Sequence, residues 1–135
     1  MAKLVFIDAG VLIAAARGKN DVAERAMHIL DDPALEFASS IFVKLEVLPK
    51  PLFLGMDDEA EFYETFFGAV SSWAEAQPTL AQQAYDEAVK RGLSAMDALH
   101  IAAAASVGAD ELITTEKQTK PIHRSQLISI RTILP

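Results

Sequence analysis

Short runs of strand-forming residues recur between longer segments of helical periodicity all along this chain, and that alternation restricts the fold more than any other feature. Lys3–Ile7 (KLVFI) is the first such run, ended by Asp8 and the turn-prone Gly10. The segment VLIAAA that follows reads as a short buried helix. Asn20 can cap the next helix, in which Val22, Ala23, Ala26, Met27, Ile29 and Leu30 keep helical spacing up to Asp31-Asp32-Pro33. Leu35–Ala38 is a second strand. Ser39 or Ser40 offers an N-cap to a helix through Ile41–Leu48, which Pro49 and Pro51 close because proline cannot continue the hydrogen-bond ladder. Asp57-Asp58-Glu59 opens a further helix, its acids set against the positive end of the helix dipole. A strand falls around Ser72–Ala76, and Ala81–Lys90 is a helix stopped by Gly92. Ser94 caps a last helix through Val107 that Gly108 ends, and Glu111–Thr114 (ELIT) and Leu127–Ile130 (LISI) finish as strands. Strands alternating with helices predict an α/β sandwich built on a mainly parallel sheet.

The 135 residues fit one domain spanning 1–135, with no repeat, linker or low-complexity tract to divide it. Apolar residues make up 51% and charged residues 23%, enough material for a dense core. The absence of cysteine excludes disulfides, zinc–thiolate sites and thiol catalysis, and His28, His100 and His123 show no metal-ligand spacing. The opening residues MAKLVFID lack the h-region of a signal peptide, and no apolar stretch reaches the ~18 residues of a membrane span, so a soluble cytoplasmic protein without a membrane segment is expected. A net charge of −7 argues against nucleic acid at first sight, since phosphates are usually met by clustered Lys and Arg. The charge is unevenly spread, however: every acid lies within residues 1–116, whereas Lys117, Lys120, Arg124 and Arg131 follow with no acid among them. A phosphate-facing patch at that end is compatible with the distribution.

Ligands of open parallel sheets bind outside the C-terminal ends of the strands, which directs attention to Asp8 after KLVFI and Glu116 after ELITT. Either acid has an ordinary explanation, Asp8 as a helix N-cap and Glu116 as a solvated loop acid. Asp97 lies in AMDALHIAAAA, so apolar a helix that most of its circumference must be buried; it can close a capping box with Ser94, or, partly desolvated, require a cation. Glu46, in IFVKLEVL, can pair with Lys50 one turn on. Taken as a set, the four suit Mg²⁺ or Mn²⁺, hard ions held by a few carboxylates converging from separate elements, and hence metal-assisted phosphodiester hydrolysis. His100, one turn after Asp97, could serve as a general base, but it reads rather as a packed histidine with a local hydrogen bond, since metal-assisted hydrolysis needs no such base. Trp73, Phe62, Phe66 and Phe67 read as packing residues, and the apolar helix bearing the three phenylalanines predicts a homodimer.

The segments FIDAGVLIAAA, SSIFVKLEV, GLSAMDALHIAAAASVGADELITTE and LISI, in that order, resemble the PIN domains, which include the VapC-type toxins of bacterial toxin–antitoxin pairs. GLSAMDALHIAAAA is the most specific of the matches, and Leu52–Gln77 matches only as a helical region. The resemblance implies a three-layer α/β sandwich with a mainly parallel central sheet flanked by helices. It also implies an acidic metal pocket of Asp8, Glu46, Asp97 and Glu116, with Asp8 and Asp97 as principal ligands. The activity implied is that of an endoribonuclease using a metal-activated water and leaving a 5′-phosphate, and the partners implied are RNA, an antitoxin protein and a second copy of the chain. Lys117, Lys120 and Arg124 would meet phosphates. The sequence departs from the family pattern at Gly10, usually Asn, at Ala9, usually a small hydroxyl residue, and at Glu116, usually Asp. A second reading is a PIN-like domain that binds RNA or a protein partner without turnover. An aspartyl-phosphate enzyme would need a second Asp where Gly10 stands.

Overall fold

A computed structural model describes residues 2–135, in which five strands form one all-parallel sheet: β1 Lys3–Ile7, β2 Leu35–Ser40, β3 Ser72–Ala74, β4 Glu111–Thr114 and β5 Ser129–Thr132. Their spatial order is β3-β2-β1-β4-β5, so the chain builds outward from β1 on one side, then crosses to the other. The helices are α1 Ala9–Arg17, α2 Asp21–Leu30, α3 Ile41–Val47, α4 Pro49–Phe53, α5 Asp57–Ala69, α6 Pro78–Arg91 and α7 Ala95–Ser106, followed by a 3₁₀ turn at Pro121–Arg124.

Sheet register divides the helices between two faces. Val5, Phe6 and Ile7 are all fully buried although neighbouring strand residues point to opposite faces, so both faces of β1 are covered. Phe6 packs near the His100 ring of α7, at 6.0 Å between centroids. Phe37, paired in register with Val5, meets Phe66 of α5 at 5.6 Å. One outer layer therefore holds α7, backed by α6, and the other holds α5 and the α1–α2 pair, which makes three layers. Ala98, Ala102, Ala103 and Ala104 are buried along α7, and their small side chains let that helix lie close to both the sheet and α6.

Capping follows the sequence in several places. Asn20 accepts from the Ala23 amide, Ser40 from Phe42 and Ser94 from Asp97, while Gly92 ends α6 with φ +68°, a conformation that favours glycine. Differences arise where tertiary contacts override local signals. Pro49 ends α3 but also starts α4, since proline at the first helical position gives up an amide that has no partner there anyway. The last strand begins at Ser129 rather than Leu127, because Ser125 and Leu127 are bonded to each other just before it.

Of the three phenylalanines expected to supply a dimer face, Phe62 is half-buried and the other two are otherwise engaged. Phe66 and Phe67 are 7% and 6% exposed, packed on Phe37, Trp73 and each other. Exposed apolar side chains cluster instead on α3, α4 and the following turn, at Ile41, Leu45, Leu52, Phe53, Leu54 and Met56, with a smaller group of Tyr85 and Val89 on α6. Among the described residues no helix is long and apolar enough to cross a membrane.

Candidate metal centre

The β1–β4 gap is the point where the strand order reverses, because β1 leads on one side to β2 and on the other to β4. Connections leaving the two strands diverge there and open a crevice at their C-terminal ends. Asp8 and Glu116 flank it from the sheet, and the first turn of α7 brings Asp97 to the same edge.

Asp8 continues the ladder one residue past β1, its amide donating to the Ile113 carbonyl at 3.0 Å. Although it stands at the N-cap position of α1, its carboxylate makes no capping bond. Oδ2 accepts instead from the Thr114 hydroxyl at 2.7 Å, and the residue is 8% exposed. Thr114 Oγ1 in turn accepts from the Glu116 amide at 3.1 Å. A hydroxyl has one proton, so accepting from Glu116 leaves that proton to point at Asp8. The loop after β4 and the acid after β1 are thereby locked together.

Asp97 is half-buried, and its amide bonds to the Ser94 hydroxyl at 3.3 Å; the reciprocal bond from the Ser94 amide to its carboxylate is not made. Burial raises the Asp97 carboxyl above the usual range, and the negative charges of Asp8 and Glu116 raise it further, against the lowering effects of the Ser94 hydroxyl and His100. Asp97 thus shares the field of both sheet-end acids. A carboxyl strained by burial and like charge is a group that a cation would relieve.

Glu46 makes no ion pair with Lys50. It reaches across from α3 to the His100 Nε2 of α7, and His100 Nε2 also lies 3.9 Å from Asp8 Oδ1. Ligating atoms of Asp8, Glu46 and His100 all fall within 4.8 Å of one another, the one such group of three or more among the described residues. The sequence placed His100 as a packed side chain, which it is at 1% exposure, but its hydrogen bond is not local: the partner is 54 residues away. No spacing rule could have found that link. Oxygen donors predominate in the crevice, a chemistry that fits Mg²⁺ or Mn²⁺.

Two further residues shape the rim. A Cβ on Gly10 would come within 2.2 Å of Thr115 Oγ1, so glycine is what allows the Thr115 hydroxyl to occupy that space. His123 Nε2 donates to the Glu116 carbonyl at 3.0 Å and anchors the loop that carries Lys117 and Lys120, both exposed. Arg124, also exposed, donates from one guanidinium nitrogen to the Arg91 carbonyl at the end of α6. A groove of about 720 Å³ lies elsewhere, beside Trp73, Gln77, Gln83 and the C-terminal end of α7, and contains none of the four acids.

Among solved structures, the chain is similar to VapBC2 from Rickettsia felis, bound there to a promoter DNA fragment, with 14% identity, a TM-score of 0.68, and coverage of 96% of this chain and 98% of that one. DNA-bound VapBC from Salmonella typhimurium is similar at 18% identity, TM-score 0.67 and 98% of both chains. FitAcB from Neisseria gonorrhoeae is similar at 18% identity, TM-score 0.64, covering 94% of this chain and 96% of that one. These likenesses establish a common fold. No curated protein sequence matches. The family profile of the PIN domain matches residues 5–122, from within β1 through the loop that carries Glu116, and the chain accordingly belongs to the PIN domain family.

Proposed function

We propose that this chain is a divalent-metal-dependent endoribonuclease and the toxin of a toxin–antitoxin pair. The observation that supports the reading is the meeting of Asp8, Glu46 and His100 within 4.8 Å of one another, with Asp97 pushed up by burial and by the charges of Asp8 and Glu116. Asp8 and Asp97 would be the principal ligands of Mg²⁺ or Mn²⁺, with Glu46 and Glu116 as further ligands, directly or through water. A bound ion lowers the pKa of water and neutralises charge on phosphoryl oxygens. Within the chain, Thr114 fixes the orientation of Asp8, and Lys117, Lys120 and Arg124 would draw the RNA backbone to the rim.

The antitoxin partner is supported by the VapBC and FitAcB likenesses, which are structures of such assemblies. Self-association into a homodimer belongs to the same proposal, carried by the exposed apolar side chains of α3 and α4 rather than by α5. Light scattering that reports a monomer at high micromolar concentration would count against it. An RNA substrate also fits a cytoplasmic place of action.

The test of the activity is incubation of the purified protein with end-labelled RNA. Cleavage leaving a 5′-phosphate should appear with Mn²⁺ or Mg²⁺, stop with EDTA, and be absent in Asp8→Asn. Cleavage that persists in EDTA, or in Asp8→Asn, would overturn the metal mechanism. RNA binding with no cleavage under any divalent ion would favour the domain that binds without turnover.

A further inference from the structure

His100 could serve the crevice in two ways, as a nitrogen ligand to the ion or as a donor that holds a carboxylate in place, and the two demand different tautomers. Its Nε2 faces Glu46 Oε1 and, at 3.9 Å, Asp8 Oδ1. Its Nδ1 is buried with no hydrogen-bond partner among the described residues. Ligation through Nε2 would put the ring proton on Nδ1, leaving a buried N–H with nothing to accept it. Metal-bound histidines almost always give that second N–H a carboxylate, carbonyl or water. With the proton on Nε2, Nδ1 keeps only an unused lone pair, and the N–H meets the carboxylate in front of it.

Glu46 is the acid that needs such a tether. It projects from the short helix α3, its side chain is 34% exposed, and Lys50 does not hold it. A glutamate so placed loses side-chain freedom by turning inward, and among the described residues the one side chain bonded to it is His100. His100 itself is fixed by burial in α7 against Phe6.

Resting on the metal-site reading above, we propose that His100 is a positioning residue: its Nε2–H holds the Glu46 carboxylate over Asp8, and it does not ligate the ion. The arrangement makes Glu46 a ligand delivered from α3 by a hydrogen bond from α7.

Two measurements on the whole chain test this. In metal-free protein, long-range ¹H–¹⁵N spectra should find the His100 proton on Nε2; a proton on Nδ1 overturns the proposal. Calorimetric titration with Mn²⁺ and Mg²⁺ should find affinity reduced roughly 10- to 100-fold in His100→Leu, the usual cost of removing a group that orients a ligand. His100→Gln, which keeps a donor at a similar reach, should recover most of that loss. Both variants should retain the wild-type ratio of Mn²⁺ to Mg²⁺ affinity. A ratio that shifts towards Mg²⁺ in both would identify His100 as a nitrogen ligand and overturn the proposal, as would undiminished binding by His100→Leu in protein shown to be folded by circular dichroism. Wild-type protein that binds neither ion, with the proton still on Nε2, would instead sink the metal reading of the crevice and leave the Glu46 tether standing.

Discussion

Replacing Thr114 with Val tests whether the hydroxyl between β1 and β4 is a structural clasp on Asp8. The substitution nearly preserves shape at a fully buried position, so little packing is lost. Two hydrogen bonds disappear, one donated to the Asp8 carboxylate at 2.7 Å and one accepted from the Glu116 amide at 3.1 Å. A bond to a charged group contributes about 1.5–3 kcal/mol, and the neutral bond about 1 kcal/mol. The extra methyl returns roughly 0.8 kcal/mol of apolar burial. The net cost is therefore about 2–3 kcal/mol. With an unfolding entropy of about 2.1 cal/mol/K per residue, a domain of this length should melt roughly 7–11 °C lower. Thermal and urea denaturation in EDTA-treated buffer would measure it. A double-mutant cycle with Asp8→Ala should return a coupling of at least about 1 kcal/mol, because the two side chains share one bond. A cost below about 0.5 kcal/mol, or strictly additive costs, would refute the clasp.

Asp97→Asn should raise metal-free stability at neutral pH or leave it unchanged. The folded-state pKa of Asp97 is raised, so its favourable contribution is complete below the unfolded value of about 3.9 and is lost as pH rises through the folded value; the variant's stability-versus-pH curve should be flatter over that window. The wild type at a hundred times the ion's dissociation constant should gain about 2.7 kcal/mol, roughly 9 °C in melting temperature, and a gain that survives in Asp97→Asn would rule Asp97 out as a principal ligand. Gly10→Ala should cost about 1–3 kcal/mol by crowding Thr115, and adding Thr115→Ala should restore most of it; equal costs in both backgrounds would show that the close approach is not the cause. Lys117→Ala and Lys120→Ala should each reduce the salt dependence of RNA binding by about one phosphate contact, measured by titration at several ionic strengths, and an unchanged slope would remove them from the interface.

The fold was legible because its signals are local. Strand-forming runs, helical spacing, the caps at Asn20, Ser40 and Ser94, and the stop at Gly92 each declare themselves within a few residues. Asp8 and Glu116 could be picked out by their places after strands, and Asp97 by its apolar helix. What sequence could not reveal were partnerships formed only by folding. The Glu46–His100 bond and the Asp8–Thr114 clasp join residues 54 and 106 positions apart. Glu46 read equally well as half of a surface pair with Lys50, and Asp8 as a cap for α1, since local sequence cannot choose between a nearby partner and a distant one. Phe66 and Phe67, read as part of an uncovered apolar face, are buried within the domain for the same reason: helical spacing marks an apolar face but not which layer covers it.

The central strand also imposes an order of events on the molecule. β1 and Asp8 are made more than a hundred residues before their neighbour β4, and the Thr114 bond to Asp8 cannot form before it arrives. Synthesis at about 5–20 residues per second separates the two by several seconds. During that interval β1 can pair with β2 alone, and the crevice lacks one wall. The partly made chain on the ribosome therefore carries its acids unassembled, and the proposed cleavage can emerge only after β4 has docked. Under the proposed ribonuclease activity, the chain is thus harmless to its own message until β4 has been made.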